Sequence, residues 1–148
     1  KYIQSSKYSF HQLLTMASIV ELEALKENDR YLVAGVFYNR LKANMSLGSD
    51  VTTYYAAKVD MSERDLYAAE LNAVNPYNTR STTMAGKLPV GPICNPSISS
   101  IIAAVSPGKN SYYYFVADKN GKVYFTKTYT EHNAIISELK RKGLWFTY

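Results

Sequence analysis

Residues 11–26 read HQLLTMASIVELEALK, and this stretch sets the architecture that we predict for the chain. Leucine, alanine, methionine and glutamate dominate it, and these residue types favour a helix. On a helical wheel with about 100° per residue, several apolar side chains fall within about 60° of one another: they are Leu13, Ala17, Val20 and Ala24. The stretch therefore predicts a first long helix with one apolar face.

One carboxylate, that of Glu21, falls inside this apolar arc. It lies between Ala17 and Leu14 on the wheel, whereas Glu23 falls nearer the edge of the arc. An ionised carboxylate on an apolar face is costly unless it is paired, and desolvation raises the pKa of a carboxyl group. A glutamate with a raised pKa can donate a proton near neutral pH. Two interpretations stay open here: Glu21 is a general acid, or it pairs with a buried arginine or lysine.

Further helices follow the first one along the chain. Capping and stop signals predict their positions. The second helix is capped by Asp29 and runs to about Leu41, and the third begins with a capping box at residues 62–65 and runs to about Val74. A fourth covers residues 97–105, and the last is capped by Thr130 and runs to Gly143. No apolar run of the chain reaches the length of a membrane span.

The remaining segments predict a hairpin and one long loop. Two short strands, residues 112–117 and 122–126, flank Asn120 and Gly121, a dipeptide that favours a tight hairpin turn. Residues 76–96 are rich in proline and glycine, and a long irregular loop in a compact domain is usually functional. Helices packed around a small antiparallel hairpin make an α+β fold, which we expect to form one domain over residues 1–148.

The composition narrows the class of protein. With 47% hydrophobic and 20% charged residues, the 148-residue chain is expected to fold rather than to stay disordered. Its net charge of +5 favours acidic partners such as an anionic wall polymer, a lipid surface or a nucleic acid. The single cysteine excludes an internal disulfide. The 2 histidines and 1 cysteine are not clustered and offer no metal-ligand spacing.

Residues 17–21 (ASIVE) resemble the motif of the YceG-like endolytic murein transglycosylases, in which the final glutamate is catalytic. The likeness continues in the same order along the chain: residues 36–41 (VFYNRL), 47–52 (LGSDVT), 75–79 (NPYNT), 88–93 (LPVGPI) with 95–96 (NP), 114–116 (YFV) and 131–133 (EHN). Some positions differ from the family pattern: Gly48, Val51, Arg80, Val90 and Val123.

The resemblance implies cleavage of the β-1,4 bond between N-acetylmuramic acid and N-acetylglucosamine in nascent glycan strands. The products would carry 1,6-anhydromuramic ends, because the C6 hydroxyl of the sugar replaces water as the nucleophile. Ordinary glycosidases use two carboxylates. Here Glu21 alone would protonate the leaving oxygen and then accept the C6 proton, without a metal or a cofactor.

The resemblance also implies the residues that bind the glycan, through hydrogen bonds or by shaping a wall of the groove: Ser49, Asp50, Thr52, Tyr77, Asn78, Thr79, Pro89, Gly91, Asn95 and His132. For Asp50 and Asn78, a local alternative is that the side chain caps a turn. For His132, the alternative is packing of the last helix against the hairpin.

Partners and location follow from the same resemblance. They are a peptidoglycan strand as substrate and peptidoglycan synthases as protein partners. The expected place is the extracytoplasmic face of the bacterial membrane, held by an N-terminal anchor that lies outside this chain together with a LysM-like region.

Three other functions remain as alternatives. The chain could be a glycan-binding module without catalysis, since 14 tyrosines and a basic charge suit a wall polymer. It could be a cysteine hydrolase that uses Cys94, His132 and Asn133, although no local motif supports this. Nucleic-acid binding would need a basic stripe with interleaved aromatic residues. Few cations flank the aromatic run at residues 112–115, so we expect no nucleic-acid partner.

Overall fold

Helix α2 (Phe10–Glu23) lies at the centre of the fold and follows the short helix α1 (Tyr2–Ser5). This computed structural model describes residues 2–145, so both ends of the expected domain lie outside the described residues. Ser9 and Gln12 form a capping box at the start of α2. The helix is buried on almost every side between Leu13 and Val20, because neighbouring helices surround it. It ends three residues before the predicted Lys26, which instead precedes the next helix.

Helix α3 (Glu27–Lys42) packs against α2. The predicted cap at Asp29 is wrong, since Lys26 is the N-cap residue and Asp29 lies in the first turn, where a carboxylate is favoured by the helix dipole. Phe37 of α3 is buried and contacts Phe115 of the hairpin edge-on, with ring centroids 5.5 Å apart.

Helix α4 (Asp50–Ala57) occupies a segment in which we predict no helix from the sequence. Helix α5 (Ala68–Leu71) is much shorter than predicted and begins later. The predicted capping box at 62–65 is wrong, because Tyr67 and Glu70 cap α5 instead. The Ser62 amide N–H donates to the carboxylate of Asp60 at 2.8 Å and so belongs to a turn before that helix.

The long loop over residues 76–96 is confirmed, and its only regular element is a 3₁₀ turn, Thr82–Met84, within the described residues. Helix α6 (Ile98–Val105) follows, with Ser97 as its N-cap, within one residue of the prediction. Helix α6 packs against α2 and α3, which brings its N-terminus to the C-terminal end of α2.

Strands β1 (Tyr114–Ala117) and β2 (Val123–Thr126) form the predicted antiparallel hairpin, with Tyr114 opposite Thr126. Gly121 has a φ of 82° in the turn, a backbone conformation that glycine adopts without strain. Helix α7 (Tyr129–Arg141) packs against both strands and is capped by Thr128 rather than by the predicted Thr130. Helices packed on a two-stranded hairpin confirm the α+β class.

Candidate active site

A cleft of about 630 Å³ opens between the C-terminal end of α2 and the hairpin. The start of α4 and one side of α7 complete its walls. Its lining combines charged, polar and aromatic side chains from these elements, from α3, from the long loop and from the segment after α7: Glu23, Arg40, Ser49, Asp50, Arg80, Phe115, Asp118, His132 and Trp145. A concave surface with a few convergent polar groups is the usual form of a ligand site.

Glu23 is the glutamate of α2 that lines this cleft. Its Oε1 accepts a hydrogen bond from the Ser49 hydroxyl at 2.5 Å. Burial raises the pKa of the Glu23 carboxyl to about 7, the Ser49 hydrogen bond acts in the opposite direction, and the negative charge of Asp50 raises the pKa further. Near neutral pH, Glu23 is therefore present in both the protonated and the ionised form.

Ser49 is held in place by a buried hydrogen-bond network behind the cleft. The amide N–H of Ser49 donates to the Thr79 hydroxyl at 2.9 Å, and the Thr52 hydroxyl donates to the Ser49 carbonyl at 2.7 Å. The Thr52 and Thr79 hydroxyl oxygens lie 2.8 Å apart. Because Ser49 itself is only 3% exposed, this network fixes the hydroxyl that contacts Glu23.

Glu21 lies outside the cleft lining, at the N-terminus of α6. Its Oε2 accepts hydrogen bonds from the Ser97 amide N–H at 3.2 Å, from the Ser97 hydroxyl at 2.7 Å and from the Ser100 hydroxyl. Its Oε1 lies 3.7 Å from Nη2 of Arg30, whose side chain is 11% exposed.

The environment of Glu21 contradicts the raised pKa that the sequence predicts for it. The Ser100 hydrogen bond, helped by the two bonds from Ser97 and by the charge of Arg30, lowers the pKa of Glu21 against the opposing effect of burial. The alternative in which Glu21 pairs with a buried arginine is confirmed. Arg30 also donates to the Ala24 carbonyl at 3.0 Å, so the cluster joins the end of α2 to the start of α6.

Arg40 and His132 bring a cation and an imidazole to the opposite wall of the cleft. Nε of Arg40 donates to the Tyr113 carbonyl at 2.6 Å, and its guanidinium lies 4.8 Å from the centroid of the Tyr114 ring. The His132 ring lies 5.4 Å from the same ring, so His132 does pack α7 against the hairpin. Burial and the charge of Arg40 lower the pKa of His132, which favours a neutral imidazole at neutral pH.

Three of the glycan-binding residues predicted from the sequence line the cleft: Ser49, Asp50 and His132. Asp50 lies at the rim, where its carboxylate accepts from Nη1 of Arg80 at 2.7 Å. Arg80 was noted only as a departure from the family pattern, and the structure shows that it is the ionic partner of Asp50.

Another three predicted residues lie behind the cleft with no exposed surface: Thr52, Asn78 and Thr79. The amide of Asn78 donates to the Ala73 carbonyl at 2.7 Å, and its Oδ1 accepts from the Thr53 hydroxyl at 2.8 Å. The polar groups of these three side chains bind other parts of the protein, so the structure gives them a supporting place behind the cleft.

The last four predicted residues lie away from the cleft. The Tyr77 ring packs against Tyr55 with centroids 4.9 Å apart, and Gly91 is buried near the Tyr77 hydroxyl. Asn95 is exposed, and Pro89 lines a separate groove. The loop over residues 89–96 therefore does not form a wall of the cleft that contains Glu23.

Sequence reasoning missed Glu23 and Arg40. A weak signal for Glu23 existed, since a side chain at the edge of an apolar arc lies where a buried helix meets a surface opening. Arg40 belongs to the VFYNRL segment, but nothing in its spacing distinguishes a cleft-lining arginine from a solvated one.

The alternative cysteine site finds no support in the geometry. Cys94 does not line the cleft that His132 lines. Its thiol donates to the Ser18 carbonyl at 3.3 Å, and burial together with the charge of Glu21 raises the pKa of the thiol. A raised pKa disfavours the reactive thiolate.

Within residues 2–145, no helix combines the length and apolar character that crossing a membrane requires. The same residues hold no group of 3 or more His, Cys, Asp or Glu side chains that could bind a metal ion.

Comparison with known proteins places the chain in one family. The profile of the YceG-like family matches residues 1–138. The endolytic murein transglycosylase of Bacillus subtilis (strain 168) is 49% identical over 131 residues, which are 88% of this chain and 35% of that protein. The enzyme of the same name from Streptococcus pneumoniae serotype 2 (strain D39 / NCTC 7466) is 38% identical over 140 residues, which are 92% of this chain and 25% of that protein.

A solved structure supports this placement in the family. The 2.6 Å crystal structure of a YceG-like protein from Listeria monocytogenes superposes with a TM-score of 0.82 and 43% identity, covering 90% of this chain and 42% of that one. The chain thus spans about a third or less of the length of these curated relatives. With nearly the whole chain matched by the profile and by these relatives, the chain belongs to the YceG-like family.

Proposed function

We propose that residues 1–148 are the catalytic domain of an endolytic murein transglycosylase, and that Glu23 is its general acid and base. The proposed reaction cleaves the β-1,4 bond between N-acetylmuramic acid and N-acetylglucosamine within a glycan strand. One observation carries the assignment: a glutamate that lines a cleft of about 630 Å³, with a pKa raised to about 7 and a carboxylate held by Ser49. The names of the relatives support the choice of substrate.

The chemistry needs one carboxyl group because the substrate supplies the nucleophile. Protonated Glu23 donates its proton to the oxygen that links the two sugars as the bond from C1 of the muramic acid to that oxygen breaks. The C6 oxygen of the same muramic acid then bonds to C1, and its proton passes to the Glu23 carboxylate. The enzyme returns to its starting state, no water is consumed, and the product ends in a 1,6-anhydro ring.

The pKa of Glu23 suits this sequence of steps. A general acid is most effective when its pKa lies near the working pH, because the protonated form is then populated and still gives up its proton readily. At a pKa of about 7, Glu23 meets both requirements. Glu21, whose pKa is lowered by three hydrogen bonds and Arg30, is ionised near neutral pH. We therefore assign the acid to Glu23 and not to Glu21, the residue that the motif resemblance selects.

Three other cleft residues are proposed to contact the glycan: Asp50, His132 and Arg40. The hydroxyl and acetamido groups of the sugars offer donors to Asp50 and acceptors to the guanidinium of Arg40. Ser49 is proposed to orient Glu23, since its hydroxyl donates to Oε1 at 2.5 Å. The aromatic faces of Phe115 and Trp145 are suited to pack against sugar rings.

The location and the partners belong to the same proposal. An enzyme that acts on nascent glycan strands works at the extracytoplasmic face of the bacterial membrane, beside the synthases that make those strands. We propose that parts of the protein beyond this chain hold it there, because the matched residues make up only 35% and 25% of the two relatives.

The deciding experiment compares wild-type protein with Glu23→Gln and Glu21→Gln on nascent, uncrosslinked strands. Mass spectrometry of the muropeptides would identify the new ends. We expect anhydromuramic ends from the wild type and from Glu21→Gln, and none from Glu23→Gln. Loss of product with Glu21→Gln alone, in a protein that is still folded, would return the acid to Glu21. Reducing ends would indicate a hydrolase, and strand binding without any cleavage would indicate a glycan-binding module.

A further inference from the structure

A second groove, of about 580 Å³, is lined in part by the C-terminal end of α3. The two cavities share no lining residue: Arg40 lines the cleft, whereas its neighbours Leu41 and Lys42 line the groove. The remaining lining comes from the segment before and at the start of α2 and from the long loop: Lys7, Tyr8, His11, Gln12, Gly86, Lys87, Leu88, Pro89 and Val90. We call this second cavity the lysine groove.

The lysine groove carries uncompensated positive charge. Its three lysines, Lys7, Lys42 and Lys87, are all exposed, and its lining contains no aspartate or glutamate. None of the ion pairs in the described part of the chain includes any of the three lysines. Several ammonium groups that face one concave surface attract an anionic ligand more strongly than the same charges spread over the protein.

The walls of the groove are held by hydrogen bonds, so its shape exists before a ligand binds. Nε2 of His11 lies 2.7 Å from the Val90 carbonyl and must carry the hydrogen, because a carbonyl oxygen only accepts. The Gly86 N–H donates to the Met45 carbonyl at 2.9 Å, and Gly86 has a φ of 70°. A Cβ on Gly86 would meet Oδ1 of Asn44 at 2.3 Å, so the loop fits against this turn closely.

Apolar side chains lie between the charges of the groove. Leu41, Leu88 and Pro89 contribute to its surface, and Val90 is 57% exposed there. A phosphodiester polymer of sugars or polyols would match the lysines but would leave this apolar surface without a partner. A short peptide with small apolar side chains and free carboxylates matches both features.

We propose that the lysine groove binds the carboxylates of the stem peptides that the glycan strand carries. This inference rests on the proposed function, since that function makes the strand the substrate. It gives residues 86–90 of the long loop a role that the cleft of Glu23 does not give them. The loop then contributes to the recognition of the peptide part of the substrate, while Glu23 acts on the sugar part.

The first test measures binding without catalysis. Isothermal titration calorimetry would compare the wild type with a groove variant, Lys7→Gln, Lys42→Gln and Lys87→Gln combined. The probe is a soluble stem peptide with free carboxylates, and its fully amidated form serves as the uncharged counterpart. A matched control removes three exposed lysines outside both cavities: Lys109, Lys119 and Lys127, each changed to Gln.

We expect the groove variant to bind the stem peptide with a Kd about tenfold higher than the wild type does. The wild type should bind the amidated peptide with a similarly raised Kd, and the control variant should bind the stem peptide nearly as the wild type does. The reason is that several exposed ion pairs each contribute a modest amount to binding. Equal Kd values for the wild type and the groove variant would overturn the proposal. Tighter binding of polyphosphate than of the peptide in the groove, at equal charge, would also overturn the proposal, because the ligand would then be a phosphate polymer.

The second test separates this inference from the proposed function. With strands that carry stems, the groove variant should raise KM about tenfold and leave kcat unchanged, whereas KM on stem-free strands should not move. If stem peptide binds but no anhydromuramic ends form, only the proposed function fails. If the ends form normally and the groove variant has the wild-type KM on both kinds of strand, only the lysine groove proposal fails.

Discussion

Glu21 and Glu23 lie two residues apart at the end of α2, and their environments differ in almost every respect. Each accepts a hydrogen bond from the serine that caps another helix: Glu21 from Ser97 of α6, and Glu23 from Ser49 of α4. Glu21 has in addition the Ser97 N–H, the Ser100 hydroxyl and Arg30, so its pKa is lowered. At Glu23, burial raises the pKa to about 7, the Ser49 hydrogen bond acts in the opposite direction, and the negative charge of Asp50 raises the pKa further.

The comparison separates a structural carboxylate from the one that we propose as the acid. Glu21 is fully partnered and joins α2 to α6, which suits a residue that holds the fold. Glu23 faces an open cleft with few partners, so its proton can leave and return. Burial is the largest cause of the raised pKa of Glu23, whereas hydrogen bonds and Arg30 outweigh the effect of burial at Glu21.

The largest expected effect is the loss of activity in Glu23→Gln. An amide cannot donate a proton as an acid does, so we expect kcat to fall by at least about 100-fold. The measurement is the rate of formation of anhydromuramic ends, with circular dichroism to check that the variant is folded. Wild-type activity in Glu23→Gln would contradict the assignment of the acid to Glu23.

The second effect is on stability and concerns Glu21→Gln. This change leaves the guanidinium of Arg30, a residue only 9% exposed, without its anionic partner. We expect the free energy of unfolding to fall by about 1–3 kcal/mol, while kcat per folded molecule stays near wild type. Urea denaturation gives the first quantity and strand cleavage the second. Glu63→Gln, at an exposed glutamate without a described ion pair, is the control and should change neither.

A third prediction uses Ser49 and Ser100, which contact Glu23 and Glu21 respectively. The Ser49 hydrogen bond lowers the pKa of Glu23, so Ser49→Ala should raise it. Because the acid must be protonated to act, the alkaline limb of the kcat profile should move to higher pH. Ser100→Ala, which removes a hydrogen bond from Glu21, should leave that limb in place. A shift with Ser100→Ala and none with Ser49→Ala would assign the titrating group to Glu21.

The smallest expected effect comes from Asp50→Asn. The negative charge of Asp50 raises the pKa of Glu23, so its removal should move the alkaline limb of kcat to lower pH. The Asp50 side chain is 58% exposed and is paired with Arg80, so solvent screening limits the shift to less than about one pH unit. The shift should shrink further as salt is added. A shift to higher pH would contradict the role that we give to Asp50.

Secondary structure was predictable where local signals were strong. The composition of residues 11–26 predicted α2, and Asn120-Gly121 predicted the hairpin turn. Helix α4 was missed because its sequence, DVTTYYAA, contains β-branched and aromatic residues with low helix propensity. It forms because Val51, Thr52 and Thr53 are buried against the rest of the domain.

The candidate site was predictable only in part. The LGSDVT segment placed Ser49 and Asp50 in the site, and the EHN segment placed His132 there. The same reasoning gave substrate contacts to Asn78 and Thr79, whose side chains are buried. A motif shows which residues belong together, but it does not show which of them face the cleft and which support it from behind.

The sequence by itself determined the class of fold, the central helix, the hairpin and the family, because these depend on local propensity and on segments quoted in order. Only the tertiary structure decided between Glu21 and Glu23. Helix α2 is buried on nearly all sides, so its apolar arc could not show which side meets the cleft. Burial raises the pKa of Glu23, and a hydrogen bond from Ser100, 79 residues away, lowers the pKa of Glu21. Both environments exist only once the chain has folded.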